Sequence, residues 1–191
     1  MLVLQFVGTV SRYLRVLGAH LNFRSVQAML AYDYWSGRGL PPNPERAAYW
    51  SKRSAEAGNA EAQHLLALCH LEGCGTEKNS SQAFRWYGRA AEQGHAPSEH
   101  TLGWCYEQGV GVEPDPHKTV HWWLRSAEKG IYESQLGLAR YYVEGKGVPR
   151  NIEQAQYWYH RAIESVPTTN QAIEELGHLL ESEERKEGRD A

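Results

Sequence analysis

Between Asn59 and Gly94 the apolar positions fall on helical spacing, twice over. Ala62, Leu66 and His70 stand at i, i+4 and i+8 with Ala67 beside them, one face of a first helix. Gly73-Cys74-Gly75 ends it, because glycine takes the positive φ of a helix C-terminus without a Cβ clash. A second helix is predicted to start near Asn79 or Ser80, both good N-caps, and to carry Ala83, Trp86, Tyr87 and Ala90 on its apolar side. Gly94 marks its left-handed end, and the pattern restarts.

It restarts with a fixed step of 36 residues. Gly37, Gly73, Gly109 and Gly145 share it, as do Gly39, Gly75, Gly111 and Gly147. Trp50, Trp86, Trp122 and Trp158 form another column, and so do Leu30, Leu66, Leu102 and Leu138. The basic residues Arg53, Arg89, Arg125 and Arg161 follow the same step. Four helix-turn-helix units result, 23–58, 59–94, 95–130 and 131–166, with no insertion between them. Asn43-Pro44 and Asp115-Pro116 repeat the start signal of the second helix, a cap followed by proline in the first turn.

Small residues recur at two helix positions: Ala31, Ala67, Gly103 and Ala139, then Ala47, Ala83, Thr119 and Ala155. A small side chain lets a neighbouring backbone approach, and the tryptophan column is expected to fill the space between layers. One hairpin cannot bury its apolar face alone, so stacking of neighbours must stabilise the chain.

Runs such as Ala90-Ala91-Glu92-Gln93-Gly94 and Leu102-Gly103-Trp104-Cys105-Tyr106-Glu107-Gln108-Gly109-Val110-Gly111-Val112 resemble the Sel1-like repeat, a relative of the tetratricopeptide repeat. The resemblance spans Phe23 to Val166, about three quarters of the chain. Departures are mild: Leu40 and Thr76 follow the double glycine in units one and two, and Val166 replaces the last glycine of unit four. The fold it implies is all-α, a right-handed α/α superhelical solenoid of helix-turn-helix repeats. The function it implies is that of an adaptor or scaffold that assembles protein complexes.

The two ends are less regular. Sliding the register back by 36 sets Tyr13, Ala19 and Asn22 against Tyr49, Ala55 and Gly58, so residues 1–22 read as a degenerate capping helix. A targeting segment competes with that reading, since residues 1–32 hold no acid while Arg12, Arg15 and Arg24 give +3. The expected location is accordingly cytoplasmic, with a mitochondrial assembly factor as the alternative. At the other end, residues 167–191 read as a capping helix from Asn170 to about Glu181 and a frayed acidic tail.

Composition changes this picture little. The chain has 191 residues, a net charge of −3 and 41% hydrophobic residues, an ordinary globular balance with no basic face for nucleic acid. Its longest apolar stretch, Met1–Val10, falls far short of the ~20 residues of a membrane span. Three cysteines make no disulfide framework. His117 and His121 have metal-ligand spacing but lack a third ligand and flank Lys118, so neither metal nor cofactor is expected. Cys69, Cys74 and Cys105 read as free thiols. No nucleophile motif or phosphate loop appears, and a catalytic residue should break the periodicity, as the fourfold Glu56, Glu92, Glu128 and Glu164 do not. No enzyme is expected; a secreted β-lactam-binding or hydrolysing relative is the alternative that the resemblance leaves open.

A ligand-facing surface should also break the periodicity. On the first helix, the columns opposite Leu30 and Tyr34 read Ala28, His64, His100, Leu136, then Tyr32, Leu68, Trp104, Arg140, then Trp35, Leu71, Glu107, Val143. They vary, yet are rich in aromatics and histidine. The resemblance implies that the first helices line the concave surface, so Tyr32, Trp35, His64, Leu68, His100, Trp104 and Arg140 are the expected contacts for a peptide or protein partner. The competing reading is that several of them merely pack neighbouring first helices together.

Overall fold

The structure, a computed structural model, describes residues 17–19, 23–166 and 170–190. Each repeat yields the expected helix pair: α1 (Arg24–Ser36) and α2 (Pro44–Glu56), α3 (Ala60–Glu72) and α4 (Ser80–Glu92), α5 (Ala96–Gln108) and α6 (Pro116–Glu128), α7 (Tyr132–Glu144) and α8 (Ile152–Ser165). α9 (Asn170–Asp190) follows. The architecture is all-α, and no strand occurs among the described residues.

The second helices all start alike. Asn43, Asn79, Asp115 and Asn151 sit in extended backbone, and each side-chain oxygen accepts the amide three residues on, from Arg46, Gln82, Lys118 and Gln154 at 2.8–3.1 Å. Each such cap is worth about 1 kcal/mol. At the ends of the first helices the double glycine has two separate tasks. Gly73, at φ 78°, closes α3 with its N–H on the Cys69 carbonyl. Gly75 lies against the Pro44 carbonyl at the start of α2, where any Cβ would overlap backbone. Gly111 on Ser80 and Gly147 on Pro116 repeat that approach.

The chain divides into two compact units, one ending at Ser98 and including Val110–Glu113, the other holding Glu99–Gly109 and everything from Pro114 on. In the first, α1 packs on α2, α2 on α3, α3 on α4, and α1 also reaches α3. The links are short, so successive helices run antiparallel and α1 and α3 run the same way. Leu30, Ala31, Tyr34, Ala47, Trp50 and Leu65 form part of its core. In the second, α6 packs on α7, α7 on α8 and α8 on α9 around Trp123, Leu138, Tyr141, Trp158 and Tyr159.

The tryptophan column is more divided than the sequence suggests. Trp50 and Trp158 are buried, but Trp86 and Trp122 are half-buried, each with an arginine over the ring: Arg89 at 4.4 Å and Arg125 at 4.8 Å. The indole at the centre of the second unit belongs instead to Trp123, in the column of Ser51, Tyr87 and Tyr159. Gly103 and Gly137 make room for it. A Cβ on Gly137 would stand 2.7 Å from the ring, and one on Gly103 would overlap it. Its Nε1 donates to the His100 carbonyl at 3.2 Å.

A polar latch repeats beneath the apolar contacts. The amides of Gln27, Gln63 and Gln135 donate to the carbonyls of Ala19, Ala55 and Ala127, at 2.9, 3.1 and 3.0 Å, each tying a first helix to the end of the preceding segment. The fourth member of this column is Glu99, which has no N–H to give. It is fully buried and accepts from Arg125 at 2.9 Å and Lys129 at 2.6 Å.

Of the expected N-terminal cap, residues 1–16 and 20–22 lie outside the described residues. Residues 17–19 are helical, and Ala19 stands to Gln27 as Ala55 stands to Gln63. At the C-terminus the helix runs on past Glu181 to Asp190, further than the expected amphipathic stretch. Ala172, Leu176 and Leu179 form its buried side.

Candidate functional site

Four of the sequence-predicted contacts come together in the first unit. Tyr32 and Trp35 on α1, and His64 and Leu68 on α3, line a half-open groove of about 520 Å³. α1 and α3 lie side by side because Ala31 and Ala67 are fully buried at the small-residue column. The periodicity then turns the next helix face, with Tyr32 and Leu68, towards the groove. Ala28 and Leu65 form its apolar floor, Met29 its rim, and His95 with Pro97 closes the end where α5 begins. Tyr32 is 54% exposed and Met29 51% exposed, high values for large apolar side chains.

The polar groups of the groove are unevenly distributed. Glu61 is exposed in the first turn of α3, Asp33 is buried on α1, and Arg38 stands just past the end of α1. His64 is held by two rings and a hydroxyl. Its Nδ1 lies 2.9 Å from Ser98 Oγ, its ring meets Tyr87 edge-on at 5.2 Å, and the His95 ring is 5.1 Å away. His95 Nδ1 lies 2.9 Å from the same Ser98 oxygen. Burial, and secondarily the nearby His95, pushes the His64 pKa down to about 4, so His64 is neutral at physiological pH. Ser98 itself is wholly enclosed, so no substrate could reach its hydroxyl as a nucleophile.

The other three predicted contacts belong to the second unit. His100 repeats the arrangement of His64: its Nδ1 is 2.8 Å from Ser134 Oγ, its ring stacks on Trp123 at 6.3 Å, and burial lowers its pKa. Trp104 is half-buried. Arg140 forms a two-pronged ion pair with Glu175 of α9, and Tyr159 donates to the same carboxylate at 3.1 Å. That hydrogen bond with Arg140 keeps the Glu175 carboxyl below its usual range. The histidines of both units therefore have a packing role between neighbouring first helices, and Arg140 serves the docking of α9.

Sequence reasoning did not single out Met29, Asp33, Arg38, Glu61, His95 or Pro97. A signal for His95 was present, since its column, Phe23, Asn59, His95 and Ile131, varies at every repeat. Two of the three thiols offer no reactive site: Cys69 and Cys105 are buried, and burial raises both to about 12. His117 and His121 are both exposed, and among the described residues no three potential ligands cluster. No described helix is long and apolar enough to cross a membrane.

Comparison with known proteins agrees with this geometry. No curated protein matches the sequence. Among solved structures, a protective antigen of uropathogenic Escherichia coli with an SLR fold superposes with a TM-score of 0.82 at 30% identity, over 87% of this chain and 35% of its own. A Sel1 repeat protein from Oxalobacter formigenes gives 0.75 at 27% identity, over 83% and 64%. The chain thus spans about a third of the first and just under two thirds of the second. Cysteine-rich protein B of Helicobacter pylori, at 22% identity and a TM-score of 0.52, shares the fold. The Sel1 repeat model matches four times, at residues 25–59, 60–95, 96–131 and 133–165, and the chain belongs to the Sel1 repeat family.

Proposed function

We propose that this protein is a non-enzymatic adaptor whose first unit takes a peptide segment of a partner protein into the groove between α1 and α3. Sel1 repeat proteins are generally protein-interaction scaffolds. The observation that carries the finer reading is the groove itself. It gathers exposed aromatic and apolar side chains from the columns that vary between repeats, on a framework of columns that do not. An extended segment laid along two parallel helices would bury Tyr32 and Met29 and fill the space over Leu65 and Leu68.

The test compares proteins recovered with the wild-type chain and with a Tyr32→Ala/Trp35→Ala variant of unchanged circular dichroism. Partners lost from the variant support the groove; an identical set recovered by both overturns it.

A further inference from the structure

α3 ends by folding its own chain back onto one carbonyl. Gly73 and Cys74 both donate their amides to the Cys69 carbonyl, at 2.8 and 3.1 Å. The second of these bonds belongs to a helix ending that commonly brings the side chains of its two outer residues together. α7 closes in the same way. The amides of Gly145 and Lys146 donate to the Tyr141 carbonyl, and there the Lys146 ammonium lies 4.7 Å from the centre of the Tyr141 ring. The corresponding pair in α3 is two thiols, Cys69 and Cys74. Fixed bond lengths and the 3.1 Å contact keep their Cα atoms within about 7 Å even along a straight path, and any bend in it brings them closer. Disulfides join Cα atoms about 4.4–6.8 Å apart. Cys105 of α5 shares the column of Cys69, but its counterpart to Cys74 is Val110.

We propose that Cys69 and Cys74 form a modification site, an intramolecular disulfide closed by exchange with a low-molecular-weight disulfide of the glutathione type. Of the three thiols only Cys74 meets solvent. Its Sγ lies 4.0 Å from Glu72 Oε2, and a partly exposed side chain changes rotamer readily. The Cys74 thiolate attacks one sulfur of the reagent, forming a mixed disulfide and expelling the first half of the reagent. Cys69, which no reagent reaches, then attacks the Cys74 sulfur and expels the second half. Two protein thiols are oxidised, the reagent disulfide is reduced, and the proton of each cysteine ends on a released thiol. Burial holds the Cys69 thiol at about 12, which slows the second step, but that attack is intramolecular and its target is adjacent. Closure ties the last turn of α3, directly after Leu68 of the groove wall, to the loop that carries Gly75.

The test incubates the folded full chain with glutathione disulfide, quenches with N-ethylmaleimide and reads intact mass and a peptide map. The expected product has lost two hydrogens, carries no glutathione, links Cys69 to Cys74 and regains its starting mass with dithiothreitol. Cys69→Ala, at unchanged circular dichroism, should stop with one glutathione on Cys74, and Cys74→Ser should not react. The wild-type product decides the question by itself should Cys69→Ala fail to fold. A wild-type chain that stops at the glutathione adduct, or that leaves Cys74 unmodified, overturns the proposal. A link through Cys105, or modification of Cys69 in Cys74→Ser at the wild-type rate, overturns it as well, since either would place the chemistry in unfolded chains.

Discussion

His64 joins a buried ring to a groove wall, and its chemistry is readable in solution. Its folded pKa of about 4 lies below the ordinary 6.5, so between those values the unfolded chain binds the proton and the folded chain does not. The stability this neutral ring contributes is complete above pH 6.5 and is lost as pH falls to 4, at most roughly 3 kcal/mol. Urea unfolding at pH 7 and pH 4.5 should show the loss, and His64→Gln should flatten the slope. Glu99 poses the opposite problem, a carboxylate fully enclosed between two cations that are themselves more than a third exposed. Arg125 and Lys129 can turn to water if it is removed, whereas Glu99 cannot follow if they are. Glu99→Gln, which restores the glutamine of its column, should therefore cost little. Arg125→Met with Lys129→Met should cost about 3–5 kcal/mol in the same denaturation assay.

At the scale of elements the balance turns on how α5, α6 and α7 meet around one indole. Trp123→Ala is expected to cost roughly 3–5 kcal/mol, while Trp122→Ala, one position earlier, should cost about 1–2, since its ring is half-buried under Arg125. Glycine to alanine inside a helix ordinarily gains up to about 1 kcal/mol. At Gly137 the added methyl meets the Trp123 ring, so Gly137→Ala should instead lose about 1–2 kcal/mol by thermal or chemical unfolding. The sequence made the helices legible because caps, terminal glycines and apolar spacing are local signals, repeated four times in one register. It did not show that Trp123 rather than Trp122 sits at the centre. That depends on Gly103 and Gly137, one on each neighbouring first helix and themselves 34 residues apart. Nothing in a single repeat announces such a fit.

For the molecule as a whole, the described packing joins helices that are adjacent in sequence or one apart. Loop-closure costs are then small, and most of the tryptophan fluorescence change on refolding should complete within milliseconds. A dominant phase of seconds would contradict that. The same repetition explains how far the site could be read. Columns that vary pointed to Tyr32, Trp35, His64 and Leu68, which the first unit does bring to one groove. Variation alone could not tell a side chain turned to a ligand from one serving its neighbour, and Arg140 is held by Glu175 from a helix beyond the repeats.

The oxygen of Ser98, shared by two imidazoles, has one further consequence. A hydroxyl owns a single hydrogen, so it cannot donate to two bare Nδ1 atoms at once. At least one of His64 and His95 must therefore hold its own hydrogen on Nδ1, which in the uncharged ring leaves Nε2 without a hydrogen. Long-range proton–nitrogen correlation spectra near neutral pH should find that tautomer in one of the two rings, and its absence from both would mean that this shared bridge does not persist in solution.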